Sequence, residues 1–526
     1  MYLNRRLLVI MALISLVTVV GIKWWWSAVT VTTPTTPYLT VGMAGDIKEL
    51  KDLCPDGSIE RVRYLPGSAV YESPVSFEPT RGIRPLLLDD WRVATDARSV
   101  DLVFKKHVRF HNGKELTAND VKACWEKTLS RAATDEVISL FAPIAGVDTL
   151  LKGQTKEVYG LQVISPQVLR VKFLRPQSYF ISSLTHPAFW VYDSQDKTAS
   201  APGTGAFRIK NLADNSVQVE AFAQYHGDIA QISGIEFQVF ADESKALAAY
   251  REGKLNLLDE VQPAQVKELA NDERIAKQFI RQPLFAVYGV AFNLDKEPWR
   301  DNYLLRRALN YAIDRPAIVR DIFANGALSC SGPLPSGLTL GKSATRGYNY
   351  NPEFAKQLLS DSGHPDGDGL PSITLYYLPN SGYKQLASSV AEQLNALGIE
   401  VYARPVNKKS LLSELNSRRF QTCLVGWHAD YPEAYAFFGT IYNNGITGYQ
   451  NGKVSKLLSD AGGLYKSTGK RQQTLLQAYK IITEDAPMLW LCQPQTVKLV
   501  SPLVSGIEVN GMNQINWGRV SFRSPQ

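Results

Sequence analysis

Apolar and polar residues alternate most regularly between residues 372 and 426. Three short apolar runs there predict β-strands, and the two stretches between them, with apolar residues three or four positions apart, predict α-helices. The predicted strands cover 373–378, 399–402 and 420–425, and the predicted helices cover 383–397 and 410–417. Gly398 is a typical helix end. The resulting β-α-β-α-β order implies a parallel sheet with right-handed crossovers.

The same patterns predict elements along the rest of the chain and indicate an α/β protein. Period-two alternation or short apolar runs predict strands at 38–42, 100–113, 158–164, 167–173, 205–211, 216–222, 235–240, 255–259, 287–293, 488–492, 496–500 and 507–509. Helical spacing predicts helices at 119–129, 243–252, 304–313 and 471–484. Thr117 with Asp120 predicts a capping box, and Asp314 with Pro316 predicts a further helix start.

Composition indicates a globular protein with more than one core. A chain of 526 residues is too long for a single core, so two or three domains are expected. The net charge of +7 is mild and the charges are interspersed, which argues against a nucleic-acid partner. The cysteines stand far apart without a Cys-x-x-Cys pair, so a zinc site or a thioredoxin-like motif is not expected. Cys423 and Cys492 lie in apolar runs and are expected to be core residues.

The N-terminal segment has the pattern of a membrane signal. Arg5 and Arg6 precede an uncharged apolar run at 7–22, and Trp24, Trp25 and Trp26 follow it. The arginines place the N-terminus inside and the rest of the chain outside the cytoplasm. Residues 1–26 are therefore expected to be an uncleaved signal-anchor or, alternatively, a cleaved signal peptide. The Thr/Pro-rich residues 27–37 are expected to form a tether.

The stretch 426–432 (GWHADYP) is the candidate binding site. Asp430 follows the predicted strand 420–425, in a predicted loop that also holds Trp427 and Tyr431. A lone anion beside aromatic faces suits a ligand with a cationic head and apolar parts. The alternative is a turn whose Asp caps the next helix. Ligands of open α/β sheets bind outside the carboxyl ends of strands, and this position favours a ligand site.

Other motifs are incomplete. His107 and His111 lack the Glu of a zinc protease helix, and the loop 337–343 has three residues between its glycines where a phosphate loop has four. No Gly-x-Ser-x-Gly and no triad is apparent, so no catalytic residue, cofactor or metal site is predicted. His428 could ligate a metal or haem in a cleft, but a partly exposed loop histidine is the simpler interpretation.

Taken together, several segments resemble one family. They are 86–91 (LLLDDW), 104–113 with 116–121 (LTANDV), 203–207 (GTGAF), Asn293, 306–315 (RRALNYAIDR), 332–335 (GPLP), 350–352 (YNP) with Ala355 and 358–359, 393–399 (QLNALGI) and 426–432. In this order they are similar to the extracytoplasmic solute-binding proteins of ABC importers, in the peptide/dipeptide/nickel-binding group (family 5). The resemblance covers residues 38–526. It departs from the pattern in lacking a lipid-attachment cysteine and in the section 45–71.

The resemblance implies a bilobed, periplasmic-binding-protein-like α/β fold. Its discontinuous first lobe would comprise 38–77, 201–280 and 488–526, with a small α+β domain inserted at 78–200 and a second α/β lobe at 281–487. It also implies that Asp430 pairs with a peptide α-amine and that Trp427 lines the pocket. The ligand-binding residues expected on this basis are Asp430, Trp427, Tyr431, His428 and Asn293.

The implied function is that of a non-enzymatic, extracytoplasmic binding protein. It would act in the periplasm or at the outer face of the cytoplasmic membrane, anchored by the N-terminal segment or released after cleavage. As a monomer it would capture peptides in a closing cleft and deliver them to ABC permease subunits. A membrane-anchored peptide sensor and a nickel-chelate or haem carrier are the alternatives.

Overall fold

The structure, a computed structural model, describes residues 38–51, 53–131, 133–198, 200–338, 340, 347–379, 381–439 and 445–523. The predicted membrane segment (1–26) and tether (27–37) lie outside these residues. Within the described part of the chain, no helix is both long enough and apolar enough to cross a membrane.

The strands of the described residues follow the predicted alternation closely. They are β1 (Leu39–Ala44), β2 (Val75–Glu78), β3 (Gly82–Pro85), β4 (Leu88–Val93), β5 (Ser99–Phe104), β6 (Leu161–Ser165), β7 (Val168–Lys172), β8 (Phe207–Leu212), β9 (Ser216–Ala221), β10 (Gly234–Phe240), β11 (Leu257–Leu258), β12 (Phe279–Pro283), β13 (Ala286–Phe292), β14 (Ala327–Ser329), β15 (Ile373–Tyr377), β16 (Val401–Pro405), β17 (Thr422–His428), β18 (Met488–Val500), β19 (Val504–Ser505) and β20 (Ser521–Phe522).

The α-helices lie between these strands and cover their faces. They are α1 (Arg61–Val70), α2 (Ala118–Ser130), α3 (Asp135–Phe141), α4 (Val147–Leu151), α5 (Phe180–Ser183), α6 (Glu243–Arg251), α7 (Pro263–Leu269), α8 (Glu273–Ala276), α9 (Tyr303–Ala312), α10 (Arg315–Asp321), α11 (Pro352–Asp361), α12 (Ser381–Asn395), α13 (Lys408–Asn416), α14 (Tyr435–Phe438), α15 (Gly452–Gly463) and α16 (Thr468–Asp485). The capping box of Thr117 and Asp120 starts α2, and Asp314 caps α10, as predicted.

One mixed sheet of twelve strands runs through both halves of the molecule. Its order is β16-β15-β17-β13-β18-β11-β1-β10-β9-β8, with β12 and β14 also paired to β18. We call the β1, β8–β11 part, with α1, α6 and α7, the first lobe, and the β13–β17 part, with α9–α13, the second lobe. In the second lobe β15 pairs in parallel with both β16 and β17, which confirms the predicted β-α-β-α-β unit.

β18 belongs to both lobes. Its first half pairs with β13, and its second half pairs with β11 and β12. The buried side chains divide in the same way: Leu489 and Leu491 pack in the second-lobe core, whereas Val497 and Leu499 pack in the first-lobe core. The chain also passes from the first lobe to the second beside β18, in the short segment between β12 and β13. There the Leu284 amide donates to the Pro494 carbonyl at 2.9 Å. Two adjacent chain segments thus connect the lobes.

A separate four-stranded antiparallel sheet, in the order β4-β5-β7-β6, lies between β1 and β8 in the chain. Together with α2–α5 it forms what we call the small-sheet unit. Its core includes Leu102, Trp125 and Phe141, which are almost fully removed from solvent. The domain boundaries predicted at 78, 201, 281 and 488 stay predictions, although this unit lies within the predicted insertion.

Four predicted strands differ from the structure. The strand expected at 100–113 ends at Phe104, because His107 has a left-handed backbone (φ 63°) that breaks the extended run. The strands expected at 488–492 and 496–500 form one strand, since Pro494 stands where β18 pairs with the short strand β14 and does not interrupt it. Residues 507–509 hold only an isolated bridge between Val509 and Ile515.

The first lobe contains a buried charge cluster. Lys498 Nζ lies 2.5 Å from Asp259 Oδ1, and Arg61 Nε donates to Asp259 Oδ2 at 2.8 Å. The two cations hold the pKa of Asp259 well below its usual range despite its burial. All five cysteines are buried, consistent with the core role expected for Cys423 and Cys492.

Candidate functional site

The strand that leads into the predicted site is longer than expected. β17 continues to His428, because β13 supplies backbone partners as far as the pair Ala286 and His428. Trp427 and His428 therefore lie on the strand itself, and the expected loop starts only after them. Neighbouring residues of a strand point to opposite faces. The side chains near the end of β17 consequently fall into two sets, one on the open side of the strand and one on its packed side.

Asp430 is the charged centre of the site. Its carboxylate has no hydrogen bond or ion pair within the described residues, and burial raises its pKa to about 6. The alternative role as a helix cap is not observed: α14 starts after Ala434, without a side-chain cap. An uncompensated carboxylate in a partly buried position is costly unless a cation joins it. This is the property expected of an anchor for a cationic group.

His428 lies on the open side of β17. Its imidazole contacts the ring of Tyr288 edge-on, with centroids 6.1 Å apart. Solvent reaches the side chain, yet the surrounding protein lowers its pKa by desolvation. Access to solvent combined with a pKa lowered by desolvation is typical of a side chain inside a cleft.

Trp427 and Tyr431 lie on the packed side and support the site. Tyr431 is buried and stacks on Tyr179 of the small-sheet unit, and Tyr179 also stacks on Tyr435 at 4.0 Å. Trp427 packs against the same core, with its indole N–H buried and without a hydrogen-bond acceptor in the described residues. The two aromatic side chains fix the path of the segment that carries Asp430.

Two residues that face Asp430 were not predicted. Glu136, in the first turn of α3, raises the pKa of both Asp430 and His428, so it lies near both. Beside it, His186 Nε2 lies 3.5 Å from Glu136 Oε1. Both residues are far from Asp430 in the chain and carry no local motif, so no sequence signal could have found them.

The first lobe supplies the facing wall. Glu260 is exposed but sufficiently surrounded for its pKa to be raised, and its charge acts on Tyr288 of the second lobe. The neighbouring Arg61 and Lys498 are both held by Asp259. Glu260 itself has no ion pair in the described residues and only a long hydrogen bond from Gln262 Nε2, at 3.4 Å.

Asn293, the fifth predicted ligand-binding residue, is not brought to the cleft. It is fully buried, and its amide nitrogen donates to the carbonyls of Arg418 at 2.9 Å and Phe420 at 2.7 Å. Its amide oxygen accepts from the backbone of Asp295. These bonds give it a structural role at the start of β17, away from the candidate site residues Asp430 and His428.

A separate cavity of about 410 Å³ lies in the first lobe, between α1 and the β2–β3 hairpin. No residue of 427–431 lines it. Its size suits a small ligand, but the most deeply buried charge in its wall, Glu72, is already bonded to Tyr225 at 2.7 Å and to His226 at 2.9 Å. The uncommitted carboxylates lie instead in the cleft, which is why we take the cleft as the candidate site.

Two α/β lobes joined by adjacent crossing segments, with a cleft between them, define the class of bilobed periplasmic binding proteins. Within this class, residues 82–449 match the model described as "Bacterial extracellular solute-binding proteins, family 5 Middle". The chain belongs to this family of solute-binding proteins of ABC importers.

Curated relatives extend the match over most of the chain. The heme-binding protein A of Haemophilus influenzae is 24% identical over 85% of this chain and 86% of its own length. The dipeptide-binding protein of Escherichia coli is 22% identical over 84% of this chain and 87% of its own. These relatives are binding proteins and not enzymes.

Solved structures agree on the fold. HbpA2 from Haemophilus parasuis superposes with a TM-score of 0.79 at 18% identity, covering 93% of this chain and all of that chain (100%). DppA from Helicobacter pylori, in complex with the peptide STSA, gives a TM-score of 0.74 at 19% identity over 94% of this chain and 99% of that chain.

Proposed function

We propose that this protein captures peptides in the cleft between its lobes and delivers them to an ABC permease. The observation that carries the proposal is the carboxylate of Asp430, which is partly buried and has no hydrogen bond or ion pair among the described residues. A peptide N-terminus supplies the ammonium group that this carboxylate lacks.

The physical logic favours peptides of varied sequence. A closed cleft excludes water, so one ion pair and main-chain hydrogen bonds can hold a ligand independently of its side chains. Closure would require the lobes to rotate about the two crossing segments, at β18 and between β12 and β13. Similarity to a dipeptide-binding protein and to a structure in complex with a peptide supports the same ligand class.

Ligand identification tests the proposal directly. Mass spectrometry of the ligand released from the purified full chain is expected to find peptides with free N-termini. Recovery of only non-peptide ligands would contradict the proposal.

Calorimetry then tests the role of Asp430. Removing one partner of a buried ion pair costs roughly 3–5 kcal/mol, so Asp430→Asn should weaken binding of a free-N-terminus tetra-alanine about 10²–10³-fold. N-acetylation of the peptide should have a similar effect on the unmutated chain. Asp295→Asn is the matched control, because the Asp295 carboxylate pairs with Arg418 on the surface, at 2.9 Å. An unchanged affinity in Asp430→Asn would refute the assignment.

A haem carrier is the second candidate. His428 is accessible in the cleft and could supply an axial ligand, and the chain is 24% identical to a heme-binding protein. Titration of the full chain with haemin, followed by absorption spectroscopy, would show a Soret shift that is lost in His428→Ala. A membrane-anchored peptide sensor would instead bind peptides without stimulating transport by a permease.

A further inference from the structure

We propose that the preferred peptide carries a basic side chain on its first residue, which pairs with Glu136 while the α-ammonium pairs with Asp430. This inference rests on the proposed function and names its ligand class. It starts from the position of Glu136 and His186, which belong to the small-sheet unit and face the loop of the second lobe that carries Asp430.

Contacts between the small-sheet unit and residues 431–435 bring Glu136 and His186 close to Asp430. Tyr179 stacks on Tyr431 with parallel rings 5.7 Å apart, and Ser182 Oγ donates to Glu433 Oε1 at 3.3 Å. The segment that ends at His186 therefore runs alongside residues 431–435. His186 Nε2 lies 3.5 Å from Glu136 Oε1, and the charges of both residues act on the Asp430 carboxylate, so the three side chains lie at one end of the site.

His186 gives an independent sign that a ligand belongs there. Its Nδ1 accepts a hydrogen bond from the Ala188 amide at 3.1 Å, so the neutral ring carries its proton on Nε2. This Nε2–H is buried, in a side chain only 3% exposed, and makes no hydrogen bond in the described residues, because Glu136 Oε1, at 3.5 Å, is too far for a good one. Buried donors are almost always satisfied. The carbonyl oxygen of a ligand's first residue, which lies next to its α-ammonium, would satisfy it.

The charges near this end of the cleft favour a doubly cationic ligand head. Glu136 and Asp430 are both carboxylates, and Glu136 has no ion pair in the described residues apart from the long contact with His186. Arg471 of α16, which contacts the same loop, is already paired bidentately with Glu433 and is not available to neutralise Asp430. One ammonium group would neutralise only one of the two carboxylates, whereas an N-terminal lysine or arginine would neutralise both.

The test is a comparison of three tetrapeptides by calorimetry on the full chain. Lys-Ala-Ala-Ala carries the cation on residue one, norleucine-Ala-Ala-Ala has the same apolar stem without the charge, and Ala-Lys-Ala-Ala moves the charge to residue two. We expect the lysine peptide to bind about 10-fold more tightly than the norleucine peptide, the range of a partly desolvated charge pair across an interface. Ala-Lys-Ala-Ala should gain less than that.

Variants separate Glu136 from general electrostatic attraction. Glu136→Gln should reduce the preference for lysine over norleucine to less than about 2-fold, with the affinity for the norleucine peptide kept. Asp135→Asn is the matched control, because this exposed carboxylate shares the first turn of α3, and it should keep the full preference. Equal binding of both peptides by the unmutated chain, or a preference that survives Glu136→Gln, would overturn the inference while leaving peptide binding intact. If none of the three peptides bound, the proposed function would fail and the inference with it.

Discussion

The ring of Tyr179 lies parallel to that of Tyr431, with an interplanar angle of 2° and centroids 5.7 Å apart. The first residue belongs to the small-sheet unit and the second to the segment that carries Asp430. Tyr179 also stacks on Tyr435, with centroids 4.0 Å apart. Tyr179 is thus the aromatic link between the small-sheet unit and the candidate site.

Removal of this link should reduce both stability and binding. Stacked aromatic pairs contribute about 0.5–1.5 kcal/mol each beyond their area, so Tyr179→Ala is expected to lower the free energy of unfolding by about 2–3 kcal/mol. Because the Asp430 segment loses its support, peptide affinity should fall about 10-fold. Urea denaturation and calorimetry measure the two effects. Tyr159→Ala is the control, since Tyr159 is 58% exposed; if both variants behaved alike, the stack would have no special role.

Local sequence patterns were sufficient to predict the helices and strands of the second lobe between residues 372 and 426. They were not sufficient to predict all residues of the candidate site. The helix and strand periods between 372 and 426 predicted β15, α12, β16, α13 and β17, because each element buries one face or one stripe that the sequence shows. The position of Asp430 at a strand end followed from the same pattern.

The partners of Asp430 could not be predicted in this way. Glu136 and His186 are ordinary residues of a short helix and a turn, and it is tertiary packing, including the contacts of Tyr179 and Ser182 with residues 431–435, that brings them near Asp430. The sequence also did not separate Asn293 from the cleft residues, because its side chain bonds to the carbonyls of Arg418 and Phe420, which are distant in the chain.

The buried cluster of the first lobe makes a prediction about stability. Asp259→Asn would leave Lys498, which is fully buried, and Arg61 without a carboxylate. Breaking a buried pair in this way typically costs about 3–5 kcal/mol, so the midpoint of urea unfolding should fall markedly. Asp295→Asn, at the half-exposed surface pair with Arg418, should cost less than about 1 kcal/mol.

The same cluster predicts a pH dependence of stability. The pKa of Asp259 is lowered in the folded chain, so its contribution is present above its unfolded value near 3.8 and is lost as the pH falls further. The Asp259→Asn variant should lack this loss, and a stability difference between the two chains that stayed constant from pH 7 to pH 3 would contradict the assignment.

The five buried thiols predict slow reaction with a thiol reagent. The thiolate is the reactive form, and burial raises the pKa of Cys330 to about 11 and that of Cys423 to about 12. The folded chain should therefore show almost no rapid labelling with Ellman's reagent, whereas the urea-unfolded chain should release five equivalents. A Lys254→Cys variant, with its new thiol on an exposed turn, should label one equivalent rapidly. Rapid labelling of the unmutated folded chain would show that a cysteine is accessible.

The raised pKa of Asp430 predicts that peptide affinity depends on pH. An ammonium group binds the carboxylate and not the carboxylic acid, so affinity should be constant above about pH 7 and fall as the pH drops through the pKa of about 6. At pH 5 the association constant should be about 10-fold lower than at pH 7.5, since about one carboxylate in ten is then ionised. The free energy of unfolding of the ligand-free chain should change in the opposite direction. Because the pKa of this carboxyl group is higher in the folded chain than in the unfolded chain, its contribution to stability decreases as the pH rises from about 4 to 6. Asp430→Asn should abolish this pH dependence of affinity and of stability. That result would attribute both effects to Asp430 and not to Glu136, His428 or Glu260 in the same cleft. Calorimetry at several pH values would reject the assignment if the unmutated chain and Asp430→Asn showed the same pH profile.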